Sequence, residues 1–352
     1  MLSPKVKSLG QRSNGDKAMD VAISHTDAAT GLPIIPMRYR DQTSTFAKGW
    51  YCIAESDEVT RDALKPVSYL DEHLIVYRDH AGTPHVADAF CPHLGAHLAS
   101  HDGGIQDGEI VCPFHKWRFD TATGKCGSIP YTKFVPPQAR LTEYPAREVA
   151  GMVLMWWHPE GGSPEFEPFD PGTYQHDGAW LLTGEKILES RVPFRDLFEN
   201  LFDTAHIQQL HHSASMMEIE TLDRMEYGLR VDYGAPKEAE EFPINSMLGN
   251  FTGIGLFNHV IYGTGFSFRQ DVSVTPIDHE RLVIRSRMYI QDTGSAEMNE
   301  AIGGAFVQRV IAEIDQDHAV LHYKKHLKNP LICAGDGPIM KFREYAKEFF
   351  PS

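Results

Sequence analysis

The sequence predicts an α+β chain: a β-rich amino-terminal part, then a part that mixes helices with antiparallel strands. Three observations predict it. Residues 46–160 carry short apolar runs punctuated by Gly, Asp and Pro, the pattern of strands joined by tight turns. Pro159-Glu160-Gly161-Gly162-Ser163-Pro164 then reads as a linker, where the pattern changes. Beyond it, stretches with helical spacing flank a long region of strand-like alternation. Strands first and a mixture later favour α+β over a regular βα alternation.

Taken in order, residues 1–45 are polar and read as an amino-terminal tail or a partner-binding arm. The opening MLSPKVKSLGQRSNGDKAMD lacks the apolar core of a signal peptide. Strands are expected around His73–Tyr77 and Glu109–Val111, and a buried one at Gly151–Trp157. Phe194, Leu197, Phe198 and Leu201 predict a helix within 194–212. Residues 222–292 alternate as strands do, with a Gly-rich apolar middle. Ile302, Phe306, Val310 and Ile314 share one face of a helix over 296–321. A last helix is expected from Pro338 to Phe350. The expected domains are therefore 46–160 and 161–352, behind the tail 1–45.

The 352 residues suit two domains. With 33 Lys+Arg against 48 Asp+Glu the net charge is −15, a poor match to nucleic acid or anionic membrane. The longest apolar run, Met152 to Trp157, is far short of the ~20 residues of a membrane span. Five cysteines are few and odd in number, so a disulfide scaffold is not expected. A reduced, cytoplasmic chain is expected instead, in which Cys beside His suggests metal. Cys52, Cys126 and Cys333 have no such neighbours and read as small buried residues.

The first constellation is Cys91-Pro92-His93 followed by Cys112-Pro113-Phe114-His115. Two thiolates and two imidazoles can hold a tetrahedral zinc. They can equally hold a [2Fe–2S] cluster, with two Cys on one iron and two His on the other. The tight C-x-H spacing favours iron–sulfur over the usual C-x₂₋₄-C zinc knuckle. Gly95 and Gly103-Gly104 allow turns, and Pro92 and Pro113 stiffen the loops.

The second constellation begins Glu199-Asn200-Leu201-Phe202-Asp203-Thr204-Ala205-His206 and continues to His211 and His212. Two imidazoles plus one carboxylate make the facial triad of a mononuclear iron(II) site, with positions left open. Residues 206 and 211 do not share a face of a regular helix, so the helix must bend, widen or end between them. The carboxylate must come from elsewhere; Glu313, Asp315 and Asp317 are the candidates in the late helix. Asp203 stands about one helical turn before His206, where its carboxylate can accept a hydrogen bond from the imidazole.

CPH…CPFHKWRFD resembles the C-x-H…C-x-x-H signature of the Rieske-type non-heme iron oxygenases, and E-N-x-x-D-x-x-H-x-x-x-x-H resembles their catalytic-iron motif. FAKGWYCIA resembles the entry to their Rieske domain, Gly124–Tyr131 resembles the GKC-x-x-IPY segment after the second cluster loop, and Asn329–Pro338 resembles the tail of 3-ketosteroid 9α-hydroxylase oxygenases. CPHLGAHLA is also similar to Neverland-type cholesterol 7-desaturases. The resemblance implies a Rieske β-sandwich domain, then a catalytic domain whose antiparallel sheet is gripped by helices. It implies a [2Fe–2S] cluster on Cys91, His93, Cys112 and His115, with Trp117 packed beneath the loops. It implies mononuclear Fe(II) on His206, His211 and Asp317, with Asp315 as the alternative carboxylate. Asp203 is then the electron-transfer bridge, and Asn200 stands near the iron.

The implied function is that of a terminal oxygenase. A separate NAD(P)H-dependent reductase or ferredoxin supplies electrons, since no G-x-G-x-x-G fingerprint follows a strand here. The chain uses them with O₂ to hydroxylate or desaturate a large hydrophobic substrate such as a steroid. Aromatic hydroxylation or O/N-demethylation is the alternative. The family assembles as a head-to-tail trimer. Gly249–Asn258 offers apolar walls for a substrate, or ordinary core strands.

Overall fold

The computed structural model describes residues 26, 27, 30–41, 45–174, 179–212, 218–234 and 244–351. Most of the expected tail therefore lies outside the described residues. The compact unit begins at Met37, and a short helix, α1 (Met37–Arg40), opens it.

The β-rich part carries strands β1 (Gly49–Glu55), β2 (Lys65–Tyr69), β3 (Glu72–Arg78), β4 (Pro84–Asp88), β5 (Gly104–Gln106), β6 (Glu109–Val111), β7 (Arg118–Asp120), β8 (Cys126–Ser128), β9 (Glu143–Tyr144), β10 (Ala146–Val149) and β11 (Met152–Trp157). They form antiparallel sheets in the orders β1-β11-β10, β2-β3-β4-β9 and β5-β6-β7-β8. Strand β11, MVLMWW, shows why an unbroken apolar run can be a strand. Successive side chains point to opposite faces. Val153 and Met155 enter one core with Ile53, Leu74 and Val76, while Met152, Leu154 and Trp156 enter another with Trp50.

The second part begins with β12 (Trp180–Ser190), α2 (Phe194–Glu199) and α3 (Thr204–Gln209). Strands β13 (Ile219–Met225), β14 (Gly228–Gly234), β15 (Ile244–Thr252), β16 (Leu256–Gly263), β17 (Ser267–Pro276) and β18 (Leu282–Gln291) follow, then α4 (Ala296–Leu321) and α5 (Ile339–Lys347). One seven-stranded antiparallel sheet results, in the order β12-β18-β17-β16-β15-β14-β13, with α4 packed on β12 and β18. This is the expected gripping arrangement. Two glycines let the helix approach. A Cβ on Gly184 would stand 2.7 Å from Val307, and one on Gly303 2.8 Å from Thr183. Ser295 caps the start of α4 by accepting the amide of Met298 at 3.3 Å. Its end is held by Arg40, whose guanidinium donates to the carbonyls of Leu321, Lys324 and Arg191. The last helix stops at Lys347, earlier than its apolar pattern predicts.

The two parts share a seam. Thr275 donates to the carbonyl of Cys52 at 2.7 Å, Arg287 to that of Ala150 at 2.7 Å, and Leu256 packs among Trp50, Leu154 and Trp156. Gly255 abuts this seam, since a Cβ there would meet the Trp50 carbonyl at 2.6 Å. Cys52 and Cys126 are buried as expected, whereas Cys333 is exposed. Its loop follows the end of α4, and the thiol turns to Asp336 rather than inward.

Candidate functional site

The first constellation sits on two loops built alike. Cys91 N–H donates to the carbonyl of Ala96, and Cys112 N–H to that of Trp117, each at 2.9 Å. The carbonyls of Cys91 and Cys112 in turn accept from Gly95 and Lys116. Those two turn-closing residues have φ of 73° and 58°. Glycine takes that conformation freely; Lys116 is held in it by the turn. Gly103 lies where the loops meet, since a Cβ there would stand 2.3 Å from the Leu98 carbonyl and 2.8 Å from Pro113.

On these loops Cys91 and Cys112 are buried. Burial pushes the Cys91 thiol up to about 12, with the Cys112 thiol adding to it. A thiolate there needs a cation as partner. The His93 and His115 rings lie 4.7 Å apart, and His93 stacks on the Trp117 indole at 4.5 Å and 12°. Trp117 Nε1 donates to Tyr131 at 2.8 Å. His93 Nδ1 is buried without a hydrogen-bond partner. Among the described residues, these four are not one of the groups whose donor atoms all lie within 4.8 Å of one another. They span more than one ion needs, which fits a two-iron cluster better than a single zinc.

The second constellation comes together from three elements. Phe198 and Phe202, both buried against Phe251, anchor α2 and the 3-10 turn Asn200–Phe202 that follows it. The helix breaks at Asp203 (φ −85°, ψ 82°), restarts as α3 and stops at Gln209, before His211. The expected interruption between His206 and His211 is thus a helix end. The break at Asp203 also turns its main-chain carbonyl, rather than its carboxylate, onto His206 Nδ1. That corrects the expected contact: ψ at a helix break aims the carbonyl back at the ring. His211 Nδ1 stands 2.8 Å from Gln316 Oε1.

Both contacts fix a tautomer. A carbonyl oxygen and an amide oxygen only accept, so each Nδ1 carries a proton, and in the neutral ring Nε2 is then the atom with the lone pair. Those Nε2 atoms lie 3.8 Å (His206) and 3.3 Å (His211) from Asp317 Oδ1, which is buried and has no hydrogen-bond partner. Three lone-pair atoms therefore face one another, and all lie within 4.8 Å. Such an arrangement repels itself unless a cation sits among the donors. The donor set, two neutral imidazoles and a carboxylate, is that of a non-heme iron(II) site. Burial raises the Asp317 carboxyl above its usual range. Asn200 Nδ2 lies 3.2 Å from His206 Nε2, at the edge of the triad.

The other candidates are turned elsewhere. Asp315 pairs with Lys186 at 2.8 Å and Glu313 with Arg309 at 2.8 Å. His212 is exposed. A second acidic group, Asp196, Glu199 and His326, already holds cations: Lys324 lies 3.3 Å from both carboxylates and Arg343 2.6 Å from Glu199. Gln316 is a residue that sequence reasoning missed; its place beside Asp317 was the only signal.

The triad opens on a cavity of about 470 Å³ between the sheet and α4, walled by residues such as Leu197, Met247, Phe268, Phe306 and Val310. Gly249–Asn258 contributes only Phe257 to it. Phe251 and Ile254 of that stretch lie in the core instead. The Gly-rich composition serves close packing, as a Cβ on Gly249 would stand 2.7 Å from Phe257.

A β-rich Cys/His domain joined to a helix-gripped sheet with a 2-His-1-carboxylate site defines a Rieske-type non-heme iron oxygenase. Residues 49–145 match the Rieske [2Fe-2S] domain, and residues 155–350 match the 3-ketosteroid 9alpha-hydroxylase C-terminal domain. The chain belongs to that family of oxygenases, whose cofactors are a Rieske [2Fe–2S] cluster and non-heme iron. It is 27% identical to the cholesterol 7-desaturase of Caenorhabditis elegans, over 89% of this chain and 79% of that one. It is 26% identical to a 3-ketosteroid-9-alpha-monooxygenase oxygenase component of Rhodococcus rhodochrous, over 87% and 83%. Dicamba monooxygenase bound to dicamba has the same fold, with a TM-score of 0.64 and 18% identity over 87% and 98%. Among the described residues no helix is long and apolar enough to cross a membrane.

Proposed function

We propose that this chain is the oxygenase component of a monooxygenase that hydroxylates or desaturates a steroid or sterol-like substrate. The carrying observation is the lone-pair triad of His206, His211 and Asp317 at the wall of a large apolar cavity. A cavity of about 470 Å³ falls within the range of about 300–1,000 Å³ usual for small-molecule sites, and its apolar walls suit a polycyclic. The names of the relatives in both kingdoms of the comparison, ketosteroid monooxygenase and cholesterol desaturase, point to the same class.

In this reading Cys91, His93, Cys112 and His115 hold the cluster, and His206, His211 and Asp317 hold the iron. Bound there, the iron supplies the O₂ chemistry. The protein's own residues do the rest. Asp203 and Gln316 orient the imidazoles and fix their tautomers. Asn200 positions His206 from the side. The apolar walls exclude water from the reacting C–H bond. Asp203 also serves as the bridge by which electrons arrive, from the cluster of a neighbouring copy in a trimer. A separate cytoplasmic reductase or ferredoxin feeds that cluster.

A turnover screen tests the reading. Holoenzyme with a compatible reductase, NADH and O₂ is given ketosteroids, sterols, aromatic acids and methoxyarenes, and products are placed by mass spectrometry and NMR. Oxidised steroid is the expected product. Turnover of an aromatic acid or methoxyarene with none of any steroid sinks the substrate class. NADH consumption without any product sinks the oxygenase assignment.

A further inference from the structure

The floor of the cavity carries a polar row that neither the triad nor the fold requires. On β16, Phe257, His259 and Ile261 point into the cavity. Their partners on β17 are Val272, Gln270 and Phe268. Ser286 of β18 follows, and Gln270 Nε2 donates to its Oγ at 2.7 Å. His259, Gln270 and Ser286 thus run across three adjacent strands in an otherwise apolar surface. His259 faces Gly249 on its other side, where the lack of a side chain makes room for the Phe257 ring, 5.1 Å from the imidazole.

His259 is only 8% exposed, and its Nδ1 is buried with no hydrogen-bond partner. Burial pushes its pKa down to about 4, so the ring is neutral and offers one N–H and one lone pair. A buried polar group left unpaired destabilises the fold. Nothing in the surrounding sheet offsets that cost. Nδ1 is sealed from the cavity as well, but the rest of the ring lines it, and the triad belongs to the helices while this row belongs to the sheet. A ligand that fills the space meets both.

We propose that His259, flanked by Gln270 and Ser286, is the anchor that binds a ketone or hydroxyl oxygen of the substrate and so fixes which C–H bond meets the iron. The proposal rests on the reading of this cavity as the substrate site. It requires an oxygen function on the polycycle: a ketone would accept from the imidazole N–H, and a hydroxyl would also donate to its lone pair. His259 acts as a specificity-determining residue, since it holds an oxygen of the ligand and not the reacting atoms.

Matched probes test it. Affinities of oxidised holoenzyme are measured for androst-4-ene-3,17-dione against 5α-androstane, and for 9-fluorenone against fluorene. Wild type is expected to prefer each oxygenated member roughly tenfold, the worth of one good hydrogen bond. His259→Leu is expected to lose the preference while binding the hydrocarbons as well or better. His259→Asn, which keeps a donor and an acceptor, is expected to recover part of it. Gln270→Met, which leaves the histidine in place, gives a second reading if His259→Leu fails to fold. The visible cluster spectrum reports folding in every variant. A wild type that prefers neither oxygenated probe, or variants that keep the full preference, overturns the anchor. If the steroids do not bind but fluorenone is preferred and His259→Leu abolishes that, the steroid class falls and the anchor stands.

Discussion

His211 Nδ1 lies 2.8 Å from Gln316 Oε1, and this contact leaves His211 Nε2 facing Asp317 at 3.3 Å. One helical position thus prepares the ligand that its neighbour completes. Replacing Gln316 by Leu frees the ring to rotate and to change tautomer. The expected result is a 10–100-fold loss of iron(II) affinity in chelator competition, with the cluster spectrum unchanged. His211→Ala goes further: iron content falls from about three to about two per chain, and turnover ceases.

Gly103 tests the cluster loops independently. Its Cβ position is 2.3 Å from the Leu98 carbonyl and 2.8 Å from the Pro113 ring, neither of which can step aside. Gly103→Ala is therefore expected to pry the two loops apart. The measurement is the visible Rieske absorbance per chain, which should fall sharply while the mononuclear site still binds metal.

Arg40 secures the end of the helix that carries Asp317. Its guanidinium is buried and serves three carbonyls, at Leu321, Lys324 and Arg191. Arg40→Met leaves those acceptors without a partner and is expected to cost about 2–4 kcal/mol in chemical denaturation. An unchanged midpoint would mean that water replaces the guanidinium at no cost.

His85 gives the β-rich part a pH dependence. Its contact with Glu143 raises its pKa against the burial that lowers it, and Asp79 adds to the rise; the pairs measure 3.4 Å and 3.5 Å. A group that holds its proton more tightly when folded stabilises the fold fully below its unfolded value. That contribution disappears as pH climbs through the raised folded value. The stability gap between wild type and His85→Gln is therefore expected to be larger near about pH 5.5 than near about pH 8.5. Thermal unfolding at the two pH values checks the direction.

Much of this is legible in the sequence because periodicity survives in the chain. Ile302, Phe306, Val310 and Ile314 announce a helix, and the structure bounds it at Ala296 and Leu321. The Cys-x-His pairs carry their spacing in the sequence itself. What stayed hidden depends on three-dimensional direction. Nothing local says that the Asp203 carbonyl, not its carboxylate, meets His206, because that depends on one ψ angle. Alternation along β16 and β17 places His259 and Gln270 on one face, but it cannot say whether that face meets a core or a cavity. Arg40 looked like part of a polar tail because its three acceptors lie 151 to 284 residues away.

The hydrogen-bonded seam between Cys52 and Thr275, and between Ala150 and Arg287, has a kinetic meaning. It ties the β-rich part to the helix-gripped sheet at two points. With the parts so joined, the proposed electron path between copies is set by how the copies pack and needs no swing of one part against the other. Reduction of the mononuclear site should then proceed at a rate indifferent to added glycerol or sucrose, whereas the arrival of the reductase, a diffusive encounter, should slow in proportion to viscosity.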